Sequence, residues 1–585
     1  MPMKRITMLK RLLDIGNTRS GLLPPNTGKP CLEFVSRESK MPMNTSEHQG
    51  ISSRDISDFL EELAADETLN MHNVVIARNG KIICEAYFGA HQSGIWKATF
   101  SACKSVVSIA IGMLIDEGKL TFETKLSEIF PNETKALSRL RVRNISVYDL
   151  LTMKTGMTAL EETGAMNEKE LFKAYLNTPL SSDPGKKFFY NSTNTYILSC
   201  IVKKISGEGL SNYLDSRLFA PLGIKNYYWG KSAEGIEFGG WGLYITPCDF
   251  AKIGMMLIDG GVWQRKRIVS EKYVKEATKI HAISNESNYG FNYGLQMWVS
   301  KDQDQFLFNG MLGQNVWCFK RNGIVIVNNA GNDELFQQSN YFAIVKKYFD
   351  KDFPNEISRN FIDKKHLDHV LKKISVSRNF VTLNNRELQR YKLGFLPHEC
   401  HELDGRTFVS NDLRSATVGI LPLVWQVVEN NYVQGLKSIG FFVKDGKFFV
   451  DYSQEDESYT FEIGFGEAKY TNIYIHNTPF YIGATGCFAY NEDGNKVFKI
   501  RVDFLETPCT LILKMTYKNG HFEVLQKEMP GKPFVLDKIM AIKNGIAQTP
   551  VIGGVTDLAP DDVIEYQVER MFEFKFKLVE QAKKS

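Results

Sequence analysis

Nothing in this sequence gives it an electrostatic reason to seek a polyanion. Lys and Arg number 71 against 67 Asp and Glu, so a formal charge of +4 is spread over 585 residues. That leaves no long-range field to recruit nucleic acid or an anionic membrane. Long apolar runs are missing too. The longest near-apolar stretch, Val106–Ile115, is about half the ~20 residues a membrane-spanning helix needs, and Ser108 interrupts it. The basic start offers only "MLKRLLDIG", broken by Lys10, Arg11 and Asp14, too short and too charged for a signal-peptide core. The nine cysteines are an odd number, widely scattered and without a C-x-x-C pair, which suggests neither a disulfide framework nor a zinc site and fits a reducing compartment. A cytoplasmic protein without a membrane span is predicted. G-x-S-x-G, P-loop and H-E-x-x-H signatures are absent as well. His366-x-x-His369 and His398-x-x-His401 lack a third ligand at a recognisable spacing and read as surface histidines. Neither a metal nor a cofactor is expected.

What is present divides by texture. Residues 1–54 carry Pro, Gly, Asn and Ser without periodicity and read as an N-terminal extension, with ordered structure expected from about Asp55. "SDFLEELAAD" has helical spacing at Phe59, Leu60 and Leu63, and the segment after it forms a hairpin around Asn79-Gly80. "FSACKSVVSIAIGMLIDEGKL" reads as a buried helix from near Ser101, stopped at Gly118. A second hairpin spans Gln314–Asn332, and the pattern between the two hairpins is mostly helical. Strands at both ends with helices inserted between them predict an α+β domain over residues 55–350. Residues 351–390 read as a helical linker. From about Lys392 aromatic and β-branched runs alternate with "KDG", "EDGN" and "KNG" turns, so residues 391–585 are predicted to form an all-β barrel or sandwich.

Three short elements carry possible chemistry. In Ser101-Ala102-Cys103-Lys104 the Ser and Lys share a helix face, with Cβ atoms ~5–6 Å apart. A serine hydroxyl needs a base to become a nucleophile, and a lysine is one when burial or a neighbouring cation depresses its pKa. The helix N-terminus adds backbone N–H groups that favour an oxyanion. Those four letters also fit a helix N-cap followed by a solvated lysine, and both readings stand at this point. In "PGKKFFYNSTNTYILSCIVKKISG" Tyr190 ends an extended run before an amphipathic helix. It is either a proton-sharing phenol or an aromatic packed at a turn. In "FLFNGMLGQNVWCF" the glycine strand lets a substrate backbone approach, or marks a bulge.

The order of these elements resembles the serine β-lactamase and penicillin-binding-protein-like superfamily, in the branch of class C β-lactamases, D-aminopeptidases and related esterases. "ISVYDLLTMKTGM", "LFAPLGIKN", "GGWGLYITPCDFAKIGMMLIDGGVWQRKRIVS" and "YGFNYGLQMW" resemble that branch's supporting segments, in its order. The resemblance implies a β-lactamase-like antiparallel sheet flanked by helices with an inserted helical region. It implies Ser101 as nucleophile, Lys104 as proton acceptor and Tyr190 as relay to the leaving group, with the backbone N–H groups of Ser101 and Met311 as oxyanion hole. Phe308-Asn309-Gly310 falls where the family places Lys or His, a small residue and Gly. Ser192 stands where many β-lactamases have Asn, with Asn194 as a substitute amide. Phe308 supplies neither a cation nor a donor for a substrate carboxylate, which argues against antibiotic hydrolysis. The expectation is a metal-independent serine hydrolase acting through an acyl-enzyme on a small ester or amide. Alternatives are D-aminopeptidase- or β-lactamase-type hydrolysis, or a binding scaffold that kept the fold. The C-terminal, lipocalin-like β-domain would either roof the site or mediate homo-oligomerisation.

Overall fold

The Asn79-Gly80 turn forms as its residue types require. Both residues have positive φ, 50° and 74°, which Asn and Gly tolerate best. Across it β1 (Met71–Arg78) pairs antiparallel with β2 (Lys81–Tyr87). The computed structural model describes residues 28–33, 41–135, 139–157, 169–376, 390, 393–410, 419–429, 431, 433, 435–454, 457–533, 535–536, 539–540 and 561–581.

The helix predicted before this hairpin is α1 (Ser53–Ala65), whose N-cap Ser52 accepts from the Asp55 N–H. After the hairpin come β3 (Lys97–Ala98), a 3-10 turn over Phe100–Cys103, and α2 (Lys104–Asp116). Every residue of α2 from Lys104 to Leu114 is buried, as expected of a helix apolar on all sides. Helices α3 (Ser192–Ser206) and α4 (Pro247–Ile258) flank the short strands β4 (Tyr227–Trp229) and β5 (Leu243–Ile245). The chain returns through β6 (Asn292–Tyr293), β7 (Trp298–Val299), β8 (Gln305–Gly310), β9 (Gln314–Phe319) and β10 (Ile324–Ala330). The resulting seven-stranded sheet has the order β2-β1-β10-β9-β8-β7-β6, so the two hairpins adjoin, with Val75 opposite Val327.

Side chains alternate across this sheet. Val75, Val316 and Val327 join the core around α2, α3 and α4. Val74, Trp317 and Ile326 face the other way, onto α1 and α5 (Tyr341–Phe349). Both faces are covered, which explains why strands β8 to β10 are buried along their whole length.

Two boundaries differ from the sequence reading. Order begins before Asp55, because the Asn44 N–H donates to the Ile82 carbonyl and the Ile82 N–H to Pro42, so residues from Met41 onward extend the edge of β2. The segment after residue 350 is not merely connecting, since α6 (Phe361–Val376) buries Leu367, Val370 and Ile374 in the cluster that contains Phe59 and Leu60 of α1. Residues 1–27 and 377–389 lie outside the described residues.

The second sheet is built from β11 (Arg406–Ser410), β12 (Leu436–Lys444), β13 (Lys447–Gln454), β14 (Ser458–Glu462), β15 (Lys469–Ile475), β16 (Thr478–Tyr490), β17 (Lys496–Phe504), β18 (Thr510–Lys518), β19 (His521–Met529) and β20 (Glu573–Glu580), with α7 (Leu423–Glu429) across one end. Its order is β14-β13-β12-β11-β20-β19-β18-β17-β16-β15. Gly464, just past β14, bridges Thr485 of β16, bringing the two edges together into a nearly closed barrel. The "KDG" and "KNG" signals are its hairpin turns, with positive φ at Asp445, Gly446, Asn519 and Gly520. Its interior is aromatic: Phe441, Phe448, Phe498 and Phe522 pack on one another. This hydrophobic cluster does not stop at the barrel wall. It continues through Leu505 and Trp425 into Ile95, Trp96, Ala98, Phe100, Tyr244 and Leu312 of the preceding unit.

Candidate active site

Ser101 and Lys104 meet as their spacing predicts. Ser101 lies on the 3-10 turn and is partly exposed, whereas Lys104, the first residue of α2, is only 1% exposed. The Lys104 Nζ lies 2.7 Å from Ser101 Oγ, 3.0 Å from Ser192 Oγ and 2.6 Å from the Gly240 carbonyl oxygen. An ammonium would donate to all three oxygens, whereas a neutral amine, with two N–H donors and one lone pair, would donate to two and accept the proton of the third. Nζ can then donate to Ser192 Oγ and the Gly240 carbonyl while accepting the Ser101 hydroxyl proton. Ser192 is held there because Asn191 caps α3, its Oδ1 accepting from the Thr193 N–H at 2.9 Å.

Tyr190 completes the cluster. Its ring centroid is 5.0 Å from Lys104 Nζ, within cation–π range. Trp298 stacks on the ring at 5.8 Å, and Phe336 and Tyr293 meet it edge-on at 5.1 and 5.9 Å. The backbone ahead of Ser101 is strained, since Phe100 has a φ of 45°, a conformation that costs a bulky residue ~1–3 kcal/mol and persists only where the surroundings enforce it.

Gly310 explains how β8 approaches this turn. A Cβ at that position would lie 2.2 Å from the Thr99 carbonyl oxygen and 3.2 Å from the Ala102 nitrogen, so only glycine lets the strand lie against the Ser101 backbone. Strand β7 pairs only with Phe306 and Leu307, so beyond Leu307 this end of β8 runs past its neighbour toward Ser101, with Met311 next in the chain.

A model of the Beta-lactamase family matches residues 57–331. Residues 57–331 are a Beta-lactamase domain. The 6-aminohexanoate-dimer hydrolase of Paenarthrobacter ureafaciens is 26% identical over 304 residues, covering 47% of this chain and 74% of that protein. The N-acetylmuramyl-L-alanine amidase of Bacillus subtilis (strain 168) is 26% identical over 141 residues, covering 22% of this chain and 32% of that protein. Among solved structures, an octameric penicillin-binding protein homologue from Pyrococcus abyssi aligns with a TM-score of 0.41 and 15% identity over 80% of this chain and 97% of that one. The superfamily read from the motifs is the one these comparisons return. Among the described residues no helix is long and apolar enough to cross a membrane.

Within the Beta-lactamase domain three expected substrate-binding side chains are buried. The Phe308 ring is 1% exposed and packs on Phe250 and Phe306 in the core beneath α2 and α4, so it does not line the site. Asn194 is fully buried one turn into α3, its Oδ1 accepting from the Thr155 and Tyr175 hydroxyls. Helical geometry turns it away from Ser192, toward the Thr155 loop. Asn309 is also buried, bonded to Asn315 and Gln337 across the sheet. Cys103, between the candidate pair, is no rival nucleophile. Burial pushes its thiol up to about 12, and its Sγ donates to the Gly239 carbonyl. His366 does find further candidate ligands that sequence spacing could not reveal, since Asp58 and Glu61 of α1 lie within 4.8 Å. Arg54 and Lys373 already pair with those carboxylates.

The sequence reading missed the aromatic wall and the Gly240 carbonyl as individual residues, although Tyr293, Trp298 and Gly240 all lie in the two supporting segments it quoted.

Proposed function

We propose that the chain is a serine hydrolase that works through an acyl-enzyme on a small amide or ester. The observation that carries this reading is the buried Lys104 amine, 2.7 Å from Ser101 Oγ and fixed by Ser192 and Gly240. As Ser101 Oγ attacks the substrate carbonyl carbon, its proton passes to Lys104 Nζ. The carbonyl oxygen becomes an oxyanion facing the backbone N–H groups of Ser101 and Met311, where one lost donor costs about 10²–10³ in rate. The tetrahedral adduct collapses, breaking the bond to the leaving nitrogen or oxygen, which takes a proton from Lys104 through Tyr190. Water then attacks the acyl-serine by the same route in reverse.

Amides come first in this reading because two of the curated relatives are named for hydrolysis of an aminohexanoate dimer and as an amidase. With Phe308 turned into the core, β8 brings no cation to the site, which favours substrates lacking a carboxylate at that end.

Incubating the protein with a fluorophosphonate and measuring its intact mass tests the reading. One adduct on wild type, lost in Ser101→Ala, is expected. Labelling that survives Ser101→Ala would mean that another residue is the nucleophile, and a wild type that never reacts would leave a non-catalytic scaffold as the better description. A panel of amino-acid amides, p-nitrophenyl esters and nitrocefin on one preparation then ranks substrates.

A further inference from the structure

The strand that leads into Ser101 is held by the C-terminal barrel as much as by its own domain. On one side β3 pairs with β5, Lys97 opposite Ile245 and Ala98 opposite Tyr244, and the Thr99 N–H and hydroxyl both donate to the Leu243 carbonyl at 2.9 Å. On the other side its partner is the loop between β17 and β18. The Ala98 N–H donates to the Glu506 carbonyl at 2.8 Å, and Lys97 Nζ donates to the Leu505 carbonyl. Next in the chain, Trp96 donates its indole N–H to the Glu506 carboxylate. That carboxylate is 2% exposed and is fixed from its own side by the Tyr481 N–H at 3.0 Å and by Lys29 at 2.7 Å.

The second hold is on Phe100. Its φ of 45° is one a large side chain avoids, and such a residue stays there only if its surroundings leave it no alternative. Its ring is 5% exposed and meets the Trp425 ring of α7 edge-on, with centroids 5.7 Å apart. Trp425 is itself 1% exposed within the barrel cluster. The residue immediately before Ser101 is thus fixed by a tryptophan more than 300 positions later in the chain.

We infer that Trp425 and Glu506 are positioning residues for Ser101: the barrel completes the hold on the backbone of the nucleophile turn, and the Beta-lactamase domain alone supplies only the β5 side of it. The inference rests on the reading of Ser101 as nucleophile, and its physical content is separable from that reading. A displacement of about 1 Å at a reacting group is enough to cost ~10²-fold in rate. Neither residue touches substrate, so the loss falls on the covalent step and not on binding.

The test uses the full chain with Trp425→Ala, Trp425→Phe and Glu506→Gln. Phe522→Leu serves as a control that loosens the barrel interior away from β3. Two quantities are read: the maximal rate and the half-saturating concentration for fluorophosphonate acylation of Ser101, and amide hydrogen exchange over residues 96–104. Trp425→Ala is expected to lower the maximal rate by about 10–10²-fold with an unchanged half-saturating concentration, and to speed exchange over 96–104 at least about tenfold. Trp425→Phe, which keeps a ring against Phe100, should recover most of the rate, and Glu506→Gln should show an intermediate loss. Phe522→Leu should lower the melting temperature and leave both readouts within about twofold of wild type. Wild-type acylation and exchange in Trp425→Ala and Glu506→Gln, or an equal loss in Phe522→Leu, would overturn the inference. If wild type is never acylated the hydrolase reading fails, and exchange over 96–104 alone decides whether the barrel holds the turn. If Trp425→Ala does not fold, Trp425→Phe and Glu506→Gln carry the comparison.

Discussion

The Beta-lactamase domain and the barrel after it use their buried polar groups differently. In the domain they converge inward: the buried Lys104 gathers the half-buried Ser101 and Ser192 and the Gly240 carbonyl. In the barrel they collect at the end facing the domain. Glu506 receives Trp96 and Lys29, Asp503 pairs with Arg501 at 2.7 Å, and Glu528 accepts the first N–H of α7 at 2.6 Å. Burying such groups is costly unless they are paired. The domain therefore concentrates its buried polarity on the candidate site, and the barrel on a joint.

The sharpest break in this comparison comes at the candidate site. Ser101→Ala should abolish turnover, a loss of at least about 10³-fold, with Lys104→Ala nearly as severe. Circular dichroism of Ser101→Ala should stay that of wild type, because only an oxygen is removed, whereas Lys104→Ala empties a fully buried side chain and should also lower stability. Retained activity with a native spectrum would refute the assignment. Next in size, Gly310→Ala should cost about 10²-fold in kcat, because its Cβ would lie 2.2 Å from the Thr99 carbonyl and push β8 off the Ser101 turn. Unchanged kcat would mean the strand yields without moving the turn. Phe308→Ala should lower stability by ~3–5 kcal/mol, as for a large ring removed from a core, and leave substrate preference alone. A denaturant midpoint equal to wild type, or a shift toward carboxylate-bearing substrates, would return Phe308 to the pocket.

The joint has its own signature in pH. Burial lowers Lys97 to about 7 despite the nearby carboxylates of Asp503 and Glu506, and its Nζ also meets His91 Nδ1 at 2.8 Å. Between about pH 7 and 10.5 the unfolded chain binds the proton that the folded chain does not. Stability from this group therefore rises with pH across that window, and is lost as pH falls through about 7. Melting temperatures of wild type and Lys97→Met across pH 6 to 10 should diverge in that sense, with the variant flatter, and parallel curves would contradict it. The smallest effect belongs to Cys103→Ser. The serine can keep the bond to Gly239, and activity should stay within about threefold of wild type.

Much of the candidate site's geometry was legible because it is local. Ser101 and Lys104 are three residues apart, Tyr190 and Ser192 straddle a helix start, and the glycine of β8 sits in a recognisable strand. Side-chain direction was not legible. Phe308 and Asn194 were placed by analogy of position, and alternation along β8 and rotation around α3 turned both into the core. The hairpin turns of the barrel were readable from Asp-Gly and Asn-Gly pairs, yet its contacts with β3 were not. Trp96 and Glu506 are 410 residues apart, and neither stands in a motif.

That separation also sets an order in time. At about 5–20 residues per second, a ribosome that has made Trp96 needs roughly 20–80 seconds more to reach Glu506. Ser101 and Lys104 are synthesised early, but the groups that hold β3 and Phe100 arrive late. The nascent Beta-lactamase domain is therefore expected to collapse around its own sheet with an unreactive serine, and to acquire a reactive one only when the barrel closes behind it.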